Sequence, residues 1–399
     1  MNMTQLSTPR MNASAVSGDP IRVLVVDDSS VIRGIVSRWI EASAEMVLAG
    51  AAVNGSDAVK RAASLQPDII ILDIEMPEMD GITALPQLLK LCPQSRVIMA
   101  STLTRRNAEI SLKALSLGAS DYVPKPTSIS GGDAAEDFRR ELMTRIVALG
   151  RRRIARLAPE PRSSAGSAAR TSAPSTGAEP AYPLARPGVV PAPVAAKVSL
   201  QVQKSSSVPA QIVAIGSSTG GPQALVRVVS ALSADLNVPV IITQHMPPTF
   251  TAILAESITR STGLKCVEAV SGTMLERGCV YVAPGDYHMT VKGRGGPIEL
   301  NQGPPENFCR PAVDPMFRSV AAAYGPLALG VVLTGMGSDG REGARAIVSA
   351  GGTVIAQDEE SSVVWGMPGA VAHAGLASAI VPLDLIGAEI KKKLGVTAR

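Results

Sequence analysis

The stretch IRVLVVDDS, residues 21–29, decides the fold of the first half of the chain. Its apolar residues run on without the alternation of a half-exposed strand, so it reads as a strand covered on both faces and ended by two adjacent carboxylates. Working outward, MVLAGAA (46–52), DIIILD (68–73), RVIMA (96–100) and DYVP (121–124) are further strand-like runs, separated by amphipathic helical stretches. Five such βα units predict a doubly wound, five-stranded parallel sheet. The functional crevice of that sheet lies at the carboxyl ends of its strands. Asp27 and Asp28 follow the first strand, Asp73 ends the third, Ser101 and Thr102 follow the fourth, and Lys125 follows the fifth.

Three carboxylates on one rim repel one another, and a hard divalent cation with oxygen ligands relieves that repulsion, which makes Mg2+ the natural occupant. Beside it Asp73 can attack a phosphoryl group, with the Lys125 ammonium against the equatorial oxygens and the Ser101 hydroxyl set to report the phosphate. Taken singly, Asp28 reads as a helix cap, Asp73 as a strand end and Lys125 as a solvated cation. Their joint position at the ends of the right strands outweighs that plain alternative. VLVVDDS, ILDIEMPEMDG and DYVPKP resemble the response-regulator receiver domain of two-component signalling, over about residues 21–128. The resemblance implies Asp73 as phosphoacceptor, Asp27, Asp28 and Asp73 as Mg2+ ligands, Ser101 as switch hydroxyl, Tyr122 as switch aromatic and Lys125 as phosphate partner.

A chain of 399 residues suggests two or three domains, and 46% hydrophobic against 18% charged residues excludes a disordered or fibrous protein. Aromatics are only 3%, so the cores are expected to be built from Ala, Val, Ile and Leu, which again favours α/β. No apolar run approaches the ~18 residues needed to span a bilayer, and residues 1–20 lack the apolar stretch of a signal peptide. A cytoplasmic chain without membrane insertion is expected. Cys92, Cys266, Cys279 and Cys309 show no C-x-x-C spacing, which speaks against a zinc site or a disulfide framework. The net charge of +4 misleads, because Arg139–Arg162 holds eight Arg against two Glu. From residue 210 onward 14 Lys and Arg face 15 Asp and Glu, a net of −1 that argues against a nucleic-acid-binding surface. Residues 158–193 contain eight Pro and nine Ala with no helical or strand period, and read as a linker. As a flexible coil it would span roughly 30 to 35 Å. The expected organisation is a first domain at 20–138, a basic helical extension and Pro/Ala/Ser-rich linker at 139–208, and a second doubly wound α/β domain with a mostly parallel sheet at 209–396.

In that second domain QIVAIG (211–216) is a strand running into Ser217, Ser218, Thr219, Gly220 and Gly221 and then into a helix. A serine in such a turn sits at a helix N-terminus, where backbone N–H groups support developing negative charge. Gly216–Gly220 fits G-x-S-x-G with Ser218 in the middle, a short pattern that also arises by chance. A phosphate-binding glycine turn is the plain alternative. It fails, because Gly221-Pro222-Gln223 stands where a P-loop needs Gly-Lys-Ser/Thr, and G-x-G-x-x-G is absent.

A serine nucleophile needs a base. VPVIITQH (238–245) delivers His245 at the end of the next strand, His288 in APGDYHM is the second choice, and His373 in an Ala-rich helical stretch is the least favoured. A carboxylate must then fix the imidazole, and LALGVVLTGMGSDG (327–340) ends a buried strand in a glycine-rich loop carrying Asp339. Asp339 could instead cap the helix that starts near Arg341. Gly335 and Gly337 let backbone N–H groups, that of Met336 in particular, turn toward an oxyanion. The order Ser218, His245, Asp339 differs from the Ser, Asp, His order of α/β-hydrolases. Ser217→Ala is expected to be nearly silent.

GSSTGGP, ITQHMPP, VAPGDYHM, QGPPENFCRPAVD, LTGMGSDG and VVWGMP resemble the catalytic domain of chemotaxis protein-glutamate methylesterases. The resemblance implies Ser218 as nucleophile, His245 as base and Asp339 as orienting acid, with Thr219 and the Met336 backbone lining the site and no cofactor in that domain. It implies hydrolysis of glutamyl methyl esters on chemoreceptors, deamidation of receptor glutamines, a chemotaxis histidine kinase as phosphodonor, and a monomer. Phe308 and Cys309 depart from the family's usual basic or imidazole side chains before Arg310. The rivals are a transcription factor with a DNA-binding output, which the charge and the missing helix-turn-helix oppose, and a catalytically idle receptor adaptor.

Overall fold

Residue 22 is exposed and its neighbours in the first strand are buried, the pattern of a strand enclosed between helical layers rather than facing water. The computed structural model describes residues 19–126, 133–157, 203, 205–232 and 235–396. The Pro/Ala/Ser-rich stretch at 158–193 lies outside them. The N-terminal unit runs β1 (Ile21–Val26), α1 (Ser30–Glu41), β2 (Met46–Ala52), α2 (Gly55–Leu65), β3 (Ile69–Asp73), α3 (Gly81–Leu91), β4 (Arg96–Thr102), α4 (Arg105–Ser116), β5 (Asp121–Lys125) and α5 (Asp133–Leu157). Its strands pair in parallel in the order β2-β1-β3-β4-β5, so Asp73 ends the central strand. Helix starts are set by local chemistry. Ser29, Asn54, Asp80 and Thr104 each accept a backbone N–H at the N-terminus of α1, α2, α3 and α4. The residues read as a basic helical extension are the continuation of α5, which lays Phe138, Leu142, Ile146 and Leu149 on the core containing β1.

The second unit runs β6 (Ile212–Ser217), α6 (Gly221–Leu232), β7 (Val240–Gln244), α7 (Phe250–Thr262), β8 (Cys266–Glu268), β9 (Val280–Val282), β10 (His288–Val291), β11 (Ile298–Asn301), α8 (Val313–Tyr324), β12 (Ala328–Val332), α9 (Arg341–Ser349), β13 (Thr353–Gln357), α10 (Gly366–His373), β14 (Ala379–Val381) and α11 (Leu383–Lys393). Seven strands form one sheet in the order β14-β13-β12-β6-β7-β9-β8, every pairing parallel, while β10 and β11 make a separate antiparallel hairpin. The chain winds outward from β6 in both directions. The topological switch point, where ligands of open α/β sheets bind, therefore falls among β12, β6 and β7. Ser101, Thr102 and Lys125 lie inside strands rather than after them, and Ser217 is the last residue of β6.

Candidate active site

At the first sheet's rim, Asp27, Asp28 and Asp73 each offer a carboxylate oxygen, all within 4.8 Å of one another. Lys125 Nζ lies 2.7 Å from Asp73 and 2.9 Å from Asp27, a cation already drawn between two carboxylates. Burial pushes Asp73 up to about 6, and the nearby Lys125 ammonium only partly offsets it. A rim of hard oxygen donors with excess negative charge, one member of it exposed, fits a small divalent cation such as Mg2+. The Ser101 hydroxyl faces the Ser111 hydroxyl at 3.0 Å. Tyr122 is buried and its ring stacks on Phe250, 4.7 Å between centroids and 7° from parallel, so the expected switch aromatic touches the second unit.

At the second sheet's rim the ends of β6, β7 and β12 carry Ser218, His245 and Asp339. His245 Nε2 is 2.7 Å from Asp339 Oδ2. Asp339 accepts more than that contact. Its Oδ2 takes the Val313 N–H at 2.6 Å and its Oδ1 the Asp314 N–H at 3.0 Å, so the carboxylate sits on the N-terminus of α8. At α9 it accepts only the N–H of the N-cap residue Gly340, at 2.9 Å, and none from inside the helix. Burial opposes a charge on either member. The contact with His245 nevertheless holds Asp339 below the usual carboxylate range, and the Cys309 sulfur and Asp339 raise His245 from 6.5 to about 10.

The three adjacent hydroxyls differ. Ser217 is buried and donates to Gln244 Oε1 at 2.7 Å, while Gln244 Nε2 returns to the Ser218 carbonyl at 2.9 Å. Thr219 donates to Asp121 Oδ2 of the N-terminal unit at 2.7 Å. The Ser218 hydroxyl has no hydrogen-bond partner among the described residues, and neither have the N–H groups of Thr219, Gly220 and Met336. Gly220 is required here, because its φ of +76° is left-handed and a Cβ would stand 2.5 Å from Val363. Of the other histidines, His288 spends Nε2 on Pro304 O and Nδ1 on the Ala312 N–H, and His373 packs edge-on to Trp365. Ser217 has a structural duty that the sequence did not show: its substitution by Ala would leave the buried Gln244 oxygen without its donor, a cost in stability rather than in the reaction.

Residues 213–390 match the family model described as CheB methylesterase, and residues 23–132 match that of the response regulator receiver domain. The protein-glutamate methylesterase/protein-glutamine glutaminase of Maricaulis maris is 48% identical to this chain, over 98% of it and 99% of its own length. The one from Azospirillum brasilense is 50% identical over 95% and 94%. The chain belongs to the protein-glutamate methylesterase family. It is also similar to the solved catalytic domain of Thermotoga maritima CheB methylesterase, 40% identical over 46% of this chain and 99% of that one, at a TM-score of 0.45.

Several residues of this family member escape a reading of motifs. Asn307 Nδ2 donates to both Asp314 Oδ2 and Asp339 Oδ1, each at 3.0 Å, and so holds two buried carboxylates together. Asp121, in the sequence no more than the first residue of a strand, accepts from Thr219 and from Arg145 through the same oxygen. Gln223 reaches from α6 to the carbonyls of Leu115 and Ala119, and Arg105 pairs with Glu256. Met336, expected to line the site through its backbone, also packs its side chain on the core that holds α5. Among the described residues no helix is long and apolar enough to cross a membrane.

Proposed function

We propose that this chain is a phosphorylation-controlled serine hydrolase that removes methyl groups from glutamyl methyl esters of chemoreceptors and deamidates receptor glutamines, acting in the cytoplasm. The observation that carries the reading is the His245–Asp339 pair, 2.7 Å apart, on a sheet rim shared with the Ser218 hydroxyl, which has no partner among the described residues. Ser218 Oγ attacks the side-chain carbonyl carbon. Its proton passes to His245 Nδ1, because Nε2 faces Asp339. The Thr219, Gly220 and Met336 N–H groups stand ready for the oxyanion, and the α6 N-terminus adds its dipole. His245 returns the proton to methanol or ammonia as the acyl-enzyme forms, and water then releases the glutamate by the reverse roles.

Control comes from the receiver. Asp73 accepts the phosphoryl group from a chemotaxis histidine kinase, and Lys125 balances its charge. Asp27, Asp28 and Asp73 would hold Mg2+, which when bound neutralises phosphoryl oxygen charge. The bond from Thr219 to Asp121 supports inhibition by the unphosphorylated receiver, since it ties the residue beside Ser218 to the N-terminal unit. Methanol release from purified methylated receptors, with and without a small-molecule phosphodonor, tests the whole reading. Release that rises with the donor and disappears in Ser218→Ala is the expected result, and release undiminished by that substitution would overturn it.

A further inference from the structure

Cys92, Cys266 and Cys279 are buried, and burial pushes all three thiols up, Cys266 to about 12. Cys309 differs from them in two ways. It is partly exposed, on the loop between β11 and α8, and its Sγ lies 3.4 Å from His245 Nδ1. The other ring nitrogen, Nε2, is taken by Asp339 at 2.7 Å. In the neutral form of His245, with its ring proton on Nε2, the Nδ1 lone pair accepts the thiol hydrogen, and thiol, imidazole and carboxylate form a proton path; in the imidazolium form the same nitrogen donates to the sulfur. Nδ1 is also the nitrogen that Ser218 needs. The hydroxyl of Ser218 has no partner among the described residues, while the thiol holds the atom that would activate it.

We infer that Cys309 is a reactive thiol, activated by His245 and open to small hydroperoxides and soft electrophiles, and that its modification switches the esterase off by withholding Nδ1 from Ser218. The inference rests on the functional reading above and concerns regulation of the same site. The step balances. A sulfur lone pair attacks the distal oxygen of ROOH, the O–O bond breaks and an S–O bond forms. Sulfur loses two electrons and the peroxide becomes ROH, its proton delivered from Cys309 through His245. The sulfenic hydroxyl then donates to Nδ1 in place of the thiol, as a stronger hydrogen bond. Two equivalents of a thiol reductant restore Cys309 and release water and a disulfide.

The test treats the full-length protein with tert-butyl hydroperoxide, traps sulfenic acid with a dimedone probe and locates it by peptide mass spectrometry. Methanol release is measured on the same samples. Cys309 should take the probe about tenfold faster or more than the three buried cysteines, and the rate should fall in step and return with dithiothreitol. Cys309→Ala and Cys309→Ser, each compared with its own untreated rate, should keep that rate through the treatment. His245→Gln should slow iodoacetamide labelling of Cys309 severalfold, a readout independent of esterase activity. Labelling of a buried cysteine as fast as Cys309, full activity after complete modification of Cys309, or labelling indifferent to His245 would each overturn the inference. If untreated protein released no methanol, the functional reading would fail, and the labelling rates would still decide whether Cys309 is the activated thiol.

Discussion

Adjacent hydroxyls part company within one turn: Ser217 is spent on Gln244, Thr219 on Asp121, and Ser218 is left without a partner among the described residues. Ser218→Ala should therefore abolish methanol release with the melting temperature unchanged. Ser217→Ala should keep the nucleophile but lose about 1–3 kcal/mol of stability, because a buried amide oxygen is left unpaired. Thermal melts beside rate measurements separate the two. His245 gives a second prediction through its raised pKa of about 10. A raised value means imidazolium persists to higher pH, and imidazolium is no base, so the rate should climb with pH past neutrality instead of levelling off near 6.5. Asp339→Asn removes the charge that favours imidazolium. It should move the inflection of the pH–rate profile to lower pH and depress the plateau by roughly 10³- to 10⁴-fold. At the other rim, Mg2+ should raise the melting temperature by relieving Asp27, Asp28 and Asp73, a chelator should reverse it, and Asp28→Asn should lose most of the effect.

At the scale of elements, α4 meets α6 and α7 through contacts of unequal worth. Gln223 on α6 donates to the carbonyls of Leu115 and Ala119, partly buried, whereas Arg105 and Glu256 pair in the open. Two partly shielded hydrogen bonds are worth about 1–3 kcal/mol, an exposed ion pair about 0–1. Gln223→Ala should accordingly raise the unphosphorylated chain's rate from about fivefold to as much as a hundredfold, and Arg105→Ala should change it by less than about fivefold. The strands were legible because unbroken Val, Ile and Leu runs have one stable setting, a parallel sheet covered on both faces. His245 and Asp339 stood out in the sequence as polar residues following apolar strands, and the structure sets them 2.7 Å apart; that Asp339 also holds the N-terminus of α8 was not legible. Nor were contacts between the units. Gln223 and Asp121 carry no periodicity or motif, and their partners lie 104 or 108 and 98 positions away. Asn307 escaped for a related reason. A side-chain amide in a loop reads as turn chemistry, and only the fold reveals that it joins Asp314 to Asp339.

Across the whole molecule, one strand joins the two rims. β5 begins at Asp121, which accepts from Thr219 beside Ser218, passes through Tyr122, stacked on Phe250, and ends at Lys125, drawn to Asp73. Phe250 opens α7, five residues after His245, and the intervening Thr249 is held at a φ of +76°, a strained setting for a β-branched residue. Phosphorylation of Asp73 would replace its carboxylate by an acyl phosphate, a net gain of up to about one negative charge, and the phosphoryl oxygens would compete with Asp27 for Lys125, at the far end of the strand that holds Thr219 and Phe250. Tethering in one chain keeps the closed arrangement populated even when each contact is weak, since the effective concentration is of order mM. A shift of about 1.4 kcal/mol between closed and open forms is then enough for a tenfold change in rate. The esterase unit alone, from Ser206 onward, should hydrolyse receptor methyl esters faster than the unphosphorylated full chain and should ignore the phosphodonor. Asp73→Asn should fix the full chain at its unstimulated rate and take up no label from a small phosphodonor. Equal rates for the isolated unit and the unphosphorylated chain would mean that β5 restrains nothing, and that phosphorylation acts instead by strengthening the chain's hold on its receptor.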